Sequence, residues 1–126
     1  MKSHSKWLAK LFASLCSSLL FSAVVCSASK ESPKIQPFQF PKHIQIGDKT
    51  SVQCLIMRGH SPVSYKWYKN GHSLKETKGI SVESNEKFST LLLDPVEEAS
   101  VGNYTCSVNS PYGSDNYSAF LSVKGK

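Results

Sequence analysis

The chain has 126 residues, and its 15 basic residues outnumber its 9 acidic ones to give a formal net charge of +6. This length predicts one small domain, because a single hydrophobic core uses most of such a chain. The basic residues are scattered and form no cluster of the kind that binds nucleic acid, so we exclude a nucleic-acid partner.

The first 28 residues have the three parts of a secretory signal peptide. Lys2, Lys6 and Lys10 give a basic start, an apolar stretch follows over residues 11–25, and small residues precede a cleavage point after Ala28. The apolar stretch is short for a membrane span, so a retained signal anchor is the less favoured alternative. Cleavage leaves 12 basic and 9 acidic residues, a net charge of +3. We therefore expect a secreted, extracellular product with no membrane span in the mature chain.

Cleavage also removes two of the four cysteines and leaves Cys54 and Cys106. An even pair of cysteines in a secreted chain is expected to be oxidised. The bridge would close a loop of about fifty residues, which in the chain-entropy picture stabilises the fold by about 4 kcal/mol.

Residues 29–42 are predicted to form an N-terminal segment and the first edge strand. The segment begins with polar residues and continues with a proline at every fourth position. Proline forbids a helix interior and a central strand, but it is tolerated in an edge strand that switches between sheets. Its apolar residues, Ile35, Phe38 and Phe40, are expected to pack against the core or, as the less favoured alternative, against a neighbouring domain.

Beyond a turn at Gly47-Asp48, the mature chain alternates apolar and polar residues with the period of half-buried strands. Asn70-Gly71 predicts a tight hairpin and residues 110–115 predict a turn, whereas no segment has a helical period. The residues predicted to point inward are Val52, Cys54, Ile56, Val63, Tyr65, Trp67, Leu91, Leu93, Val96, Tyr104, Cys106, Val108, Ala119, Leu121 and Val123.

Four of these inward residues form one constellation. Trp67 lies where its side chain can cover the bridge between Cys54 and Cys106, and Tyr104 is placed to bind its hydroxyl to a corner of the backbone. This spacing is typical of an immunoglobulin sandwich. We therefore predict an all-β fold, an immunoglobulin-like two-sheet Greek-key sandwich over residues 33–124 with one inter-sheet disulfide.

The motif Trp-Tyr-x-Asn-Gly at residues 67–71 and the run from Gly102 to Gly113 resemble intermediate-set immunoglobulin domains of cell-adhesion receptors. The opening at residues 33–41, followed by residues 47–54, is similar to arthropod Down syndrome cell adhesion molecule (Dscam) domains. The resemblance implies an extracellular module for cell adhesion or immune recognition that binds protein, either another copy of itself or a different partner. It also implies an Asp at the position of Ser100, where this chain departs from the family at a structural site.

The chain contains no sequence pattern typical of a catalytic or metal-binding site. His43, His60 and His72 are isolated, with no ligand spacing around them, and there is no nucleophile elbow and no phosphate-cradling glycine loop. We therefore predict no enzymatic activity, no metal and no cofactor, with an extracellular protein as the partner. Small size and secretion leave open a second class of function, a secreted effector that inhibits a host protease or immune protein.

Five residues are candidates for modification or binding. Asn103 and Asn116 begin the glycosylation sequons Asn-Tyr-Thr and Asn-Tyr-Ser, and their outward parity would place glycans on one sheet. Leu55 and Met57 point outward from a strand of the other sheet, as an interface or as ordinary exposed apolar residues. Tyr112, among small residues, is typical of a recognition loop or of a simple turn.

Overall fold

The structure is a computed structural model that describes residues 31–124, so the signal peptide predicted over residues 1–28 lies outside the described residues. The strands are β1 (Lys34–Ile35), β2 (Thr50–Arg58), β3 (Ser64–Lys69), β4 (His72–Ser73), β5 (Ile80–Ser84), β6 (Phe88–Leu93), β7 (Gly102–Ser110) and β8 (Gly113–Leu121). They form two sheets with the orders β1-β2-β6-β5 and β4-β3-β7-β8, in which every pair of neighbours is antiparallel. The all-β two-sheet prediction is confirmed.

The disulfide between Cys54 on β2 and Cys106 on β7 crosses the core and joins the two sheets, with an S–S distance of 2.06 Å. Trp67 lies opposite Cys106 on the neighbouring strand and is buried. Its indole Nε1 donates a hydrogen bond of 2.9 Å to the hydroxyl of Ser89, which lies opposite Cys54 in the other sheet. The tryptophan therefore reaches across the core beside the bridge, as the sequence motif predicts.

The N-terminal segment passes from one sheet to the other. It begins as β1 at the edge of the first sheet, and Gln45 then forms a parallel bridge with Lys124 just beyond β8. Between these points the ring of Phe38 lies 5.8 Å from that of Trp67 and 5.1 Å from that of Tyr117, measured between centroids. Aromatic packing therefore holds the segment over the open side of the sandwich.

The tyrosine predicted to bind a corner of backbone does so. Tyr104 is fully buried, and its hydroxyl donates a hydrogen bond of 2.6 Å to the carbonyl oxygen of Ser100. Ser100 ends a short 3₁₀ helix, Glu98–Ser100, and its own hydroxyl accepts a bond of 2.8 Å from the N–H of Glu97. A serine hydroxyl thus closes the turn at the position where the family resemblance implies an Asp.

We expect Tyr104→Phe to lower the free energy of unfolding by about 1 to 2 kcal/mol at pH 7, because the Ser100 carbonyl loses its buried donor. Burial raises the pKa of Tyr104 from about 10 to about 12. A raised pKa stabilises the native state fully below the unfolded value of about 10, and this contribution is lost as the pH rises toward 12. The difference between wild type and variant should therefore shrink from pH 10 to pH 12.

Urea unfolding at pH 7 and at pH 11.5 measures both effects. Tyr68→Phe is the control, since Tyr68 lies half-buried on the neighbouring strand β3. An equal loss in the free energy of unfolding for the two variants at pH 7 would contradict the role given to the Tyr104 hydroxyl.

The hairpin predicted at Asn70-Gly71 is confirmed. Asn70 and Gly71 both have positive φ angles, 51° and 82°, as a type I′ turn requires. The turn joins β3 to β4, and Asn70 also pairs with Asn103 on β7. The N–H of Asn70 donates to the carbonyl of Asn103 at 2.8 Å, and the N–H of Asn103 donates to Asn70 Oδ1 at 2.9 Å.

The turn predicted over residues 110–115 is wrong in its extent. Ser110 already pairs with Gly113, so only two residues lie between β7 and β8. The polar residues that suggested a loop have other partners: the carboxylate of Asp115, inside β8, accepts the N–H of Ile35 at 2.8 Å. This bond joins two strands 80 residues apart, and local composition carries no sign of it.

Candidate functional site

Within residues 31–124 no three His, Cys, Asp or Glu side chains come together in a way that could hold a metal ion. The same residues contain no helix with the length and hydropathy of a membrane span. The notable groups on the described surface are instead large apolar side chains with high exposure. They are Ile46, Met57, Val101, Tyr112 and Phe120.

The outer face of β2 carries the apolar pair predicted from the sequence. Met57 is 43% exposed and Leu55 is half-buried. Leu55 lies opposite Phe88 of β6, which is also half-buried, so the two side chains share the outer face of the first sheet. The exposed apolar area is therefore wider than the two residues of β2.

A cleft of about 310 Å³ opens at this end of the first sheet. Its lining includes Leu55, Met57, Arg58, His60, Glu86 and Lys87, and we refer to it as the β2 cleft. The described chain has an ion pair between Lys49 and Asp94, at 3.7 Å, and it lies outside this cleft. The β2 cleft thus combines an apolar floor with charges of both signs that have no ion-pair partner within residues 31–124.

His60 connects the β2 cleft to the turn between β7 and β8. Its ring lies edge-on to that of Tyr112, with 6.1 Å between centroids and 75° between planes. Its Nδ1 accepts a hydrogen bond of 3.0 Å from the N–H of Glu31. The two surfaces that the sequence suggested separately, the face of β2 and the loop end with Tyr112, are therefore continuous in the structure.

Both sequons lie on the opposite sheet. Asn103 on β7 and Asn116 on β8 are exposed, and they lie opposite Phe120 and Ser107 respectively. Their side chains point away from the core, and the β2 cleft is on the other side of the sandwich. Glycan attachment at these two positions stays a prediction.

Sequence reasoning missed two aromatic residues on the outer faces, Phe88 and Phe120. The signal was present in the alternation: inward Leu91 and Leu93 imply that Phe88 points outward on the same strand. In the same way, inward Ala119 and Leu121 imply an outward Phe120. Phe120 is 59% exposed.

Comparison with known proteins relates this geometry to a family. The family model described as Immunoglobulin I-set domain matches residues 33–123. The chain is 36% identical over 97 residues to "Cell adhesion molecule DSCAML1" of Gallus gallus, which covers 73% of this chain and 5% of that protein. It is 34% identical over 93 residues to "Cell adhesion molecule Dscam2" of Drosophila melanogaster, covering 73% and 4%.

A similar solved structure is "Crystal structure of Dscam1 Ig7 domain, isoform 5". It superposes with a TM-score of 0.69 at 28% identity and covers 73% of this chain and 96% of that one. The chain thus spans about one twentieth of the length of the curated relatives named above and nearly the whole of a single solved domain.

Proposed function

The chain belongs to the immunoglobulin I-set family, and on that premise we propose that it is a secreted domain that recognises another copy of itself through the β2 cleft. Its relatives are cell adhesion molecules, proteins that act by binding. Two further steps are our own: the export of the mature chain from Ser29 onward, and homophilic binding by one domain.

The observation that carries this proposal is the exposure of Met57, which shares the outer face of the first sheet with Leu55 and Phe88. Leu55 and Phe88 lie opposite each other on β2 and β6 and are each half-buried, whereas Met57, two residues beyond Leu55 on the same face, is 43% exposed. A contiguous apolar area rimmed by polar residues is typical of a protein-binding site. Methionine suits such a site because its flexible, polarisable side chain adapts to a partner surface.

The charges around the β2 cleft support a second copy as the partner. In a two-fold dimer the same patch lies on both sides, so residue i of one copy contacts residue j of the other and the reverse. Arg58 and Lys87 supply positive charge, and Glu86 supplies negative charge beside them. A two-fold arrangement can therefore place Glu86 of each copy against a basic residue of the other.

The two sequons support the choice of sheet. Asn103 and Asn116 lie on the outer face of the β4-β3-β7-β8 sheet. Glycans there would cover that sheet and leave the β2 cleft free. A homophilic contact is therefore best sought on the first sheet.

The test is the association of the mature, oxidised chain, measured by light scattering and sedimentation over a range of concentrations. We expect a concentration-dependent dimer, and we expect Met57→Glu to weaken it by at least about tenfold, which is about 1.4 kcal/mol. The new carboxylate would lose its hydration in the contact, and the apolar contact of the methionine side chain would be lost.

Val101→Glu is the matched control. Val101 is 40% exposed, close to the value for Met57, but it lies in the turn before β7 and away from the β2 cleft. Equal weakening by both variants would indicate a general effect of charge and would contradict the proposed interface. A chain that stays monomeric while it inhibits a foreign protease or immune protein would support the effector function in its place.

A further inference from the structure

Phe120 and Asn103 form a cross-strand pair on the outer face of the second sheet. They lie directly opposite each other on β8 and β7, and both are exposed. Side chains that face each other across antiparallel strands have Cβ atoms about 5 Å apart. A group attached to the amide nitrogen of Asn103 would therefore lie over the ring of Phe120.

A second cleft extends this surface past the edge of β8. It has a volume of about 570 Å³ and lies between β8 and residues 38–43. Phe120 forms part of its wall, and most of the other exposed side chains in the lining are polar, namely Gln39, Lys42, His43, Ser118 and Ser122. An aromatic ring beside hydroxyl, amide and imidazole groups suits a sugar, whose C–H groups stack on the ring while its hydroxyls form hydrogen bonds.

We propose that Asn103 carries an N-linked glycan whose first sugars cover Phe120 and reach into this cleft, so that the glycan stabilises the fold. The inference rests on the secretion part of the proposed function and not on homophilic binding. Such a glycan would cover the ring of Phe120, which is 59% exposed.

The modification is a group transfer from a lipid-pyrophosphate-linked oligosaccharide. The amide nitrogen of Asn103 forms a bond to the anomeric carbon of the first sugar, the bond from that carbon to the phosphate oxygen breaks, and the lipid pyrophosphate leaves. The nitrogen gives up one proton to a base of the transferase. In the folded chain the backbone of Asn103 is paired with Asn70, and its side chain is exposed.

Asn116 provides an internal comparison. It lies opposite Ser107, and its neighbours on the same face of β8 are Ser114 and Ser118. No aromatic side chain is among these neighbours, so a glycan on Asn116 would have only polar contacts there. We therefore expect the two glycans to differ in their effect on stability.

The experiment uses the full chain expressed through a eukaryotic secretory pathway, with its glycans trimmed by an endoglycosidase to one sugar at each site. We expect Asn103→Gln to lower Tm by about 4 °C and Asn116→Gln by no more than about 1 °C. In a Phe120→Thr background, Asn103→Gln should have no effect, because the sugar has lost the ring beneath it.

Two further measurements decide among the outcomes. In unglycosylated protein refolded from bacteria, Asn103→Gln should leave Tm unchanged, and a drop there would overturn the inference by locating the effect in the side chain. Glycopeptide mapping reports the occupancy of each site: Asn103 bare with Asn116 modified would overturn this inference alone. Both sites bare would also overturn it, whereas absence of the chain from the culture medium would overturn secretion. Additive effects of Asn103→Gln and Phe120→Thr would overturn the contact with Phe120.

Discussion

Replacing Cys54 and Cys106 together by alanine is expected to lower the free energy of unfolding by about 4 kcal/mol. The bridge joins residues 52 positions apart and, in the chain-entropy model, restricts the unfolded chain by about that amount. A domain of this size has a stability of roughly 5 to 15 kcal/mol, so the loss removes a large share of it.

Urea unfolding of the oxidised wild type and the double variant measures the loss. Wild type reduced with dithiothreitol is the control, because it keeps both sulfur atoms in the core and lacks only the cross-link. We expect reduction to lower the free energy of unfolding by most of the amount by which the double substitution lowers it. A reduced protein as stable as the oxidised one would show that packing of the sulfur atoms, and not the cross-link, accounts for the effect.

Leu91→Ala should lower the free energy of unfolding by about 3 kcal/mol. Leu92→Ala, one residue along the same strand, should lower it by less than about 1 kcal/mol. Leu91 is fully buried between the sheets, and Leu92 lies half-buried on the outer face. Successive side chains of a strand point to opposite faces, so adjacent leucines have different surroundings. Removing the Leu91 side chain leaves a cavity that the disulfide-linked core cannot fully close.

The pair of variants also tests the register of β6. A slip by one residue would exchange the two leucines between core and surface. Chemical unfolding is measured at a protein concentration well below that at which the chain would dimerise. The free energy of unfolding then contains no contribution from the proposed interface. Equal costs for the two variants would contradict the register, in which Leu91 lies opposite Val52 and Leu92 opposite Ser51.

The core was predictable because each inward position repeats a simple alternation. Cys54, Trp67, Tyr104 and Cys106 have the spacing of a known sandwich, and the structure places all four inside. The Asn70-Gly71 hairpin was equally clear, since few dipeptides adopt two positive φ angles in succession. Strand alternation and turn dipeptides were enough to predict the position of a residue wherever that position depends on its own strand or turn.

The candidate site was harder to predict because it depends on which strands become neighbours. The outward direction of Leu55 can be read from the alternation, but its pairing with Phe88 follows from the position of β6 beside β2. The contact between His60 and Tyr112 joins two loops distant in sequence. The residues around Asp115 are typical of a loop. Its bond to the N–H of Ile35 could not be predicted, because that residue lies on a strand at the other end of the chain.

The positions of the two ends of the described chain determine how the domain would respond to a pulling force. Ser32 lies against Gly113, where β8 begins, and Lys124 follows the end of β8, which runs for nine residues or roughly 30 Å. The chain therefore enters at one pole of the sandwich and leaves at the other. Tension applied to the two ends would act along the strands and would load in shear the hydrogen bonds that hold the N-terminal segment to β2 and to Lys124.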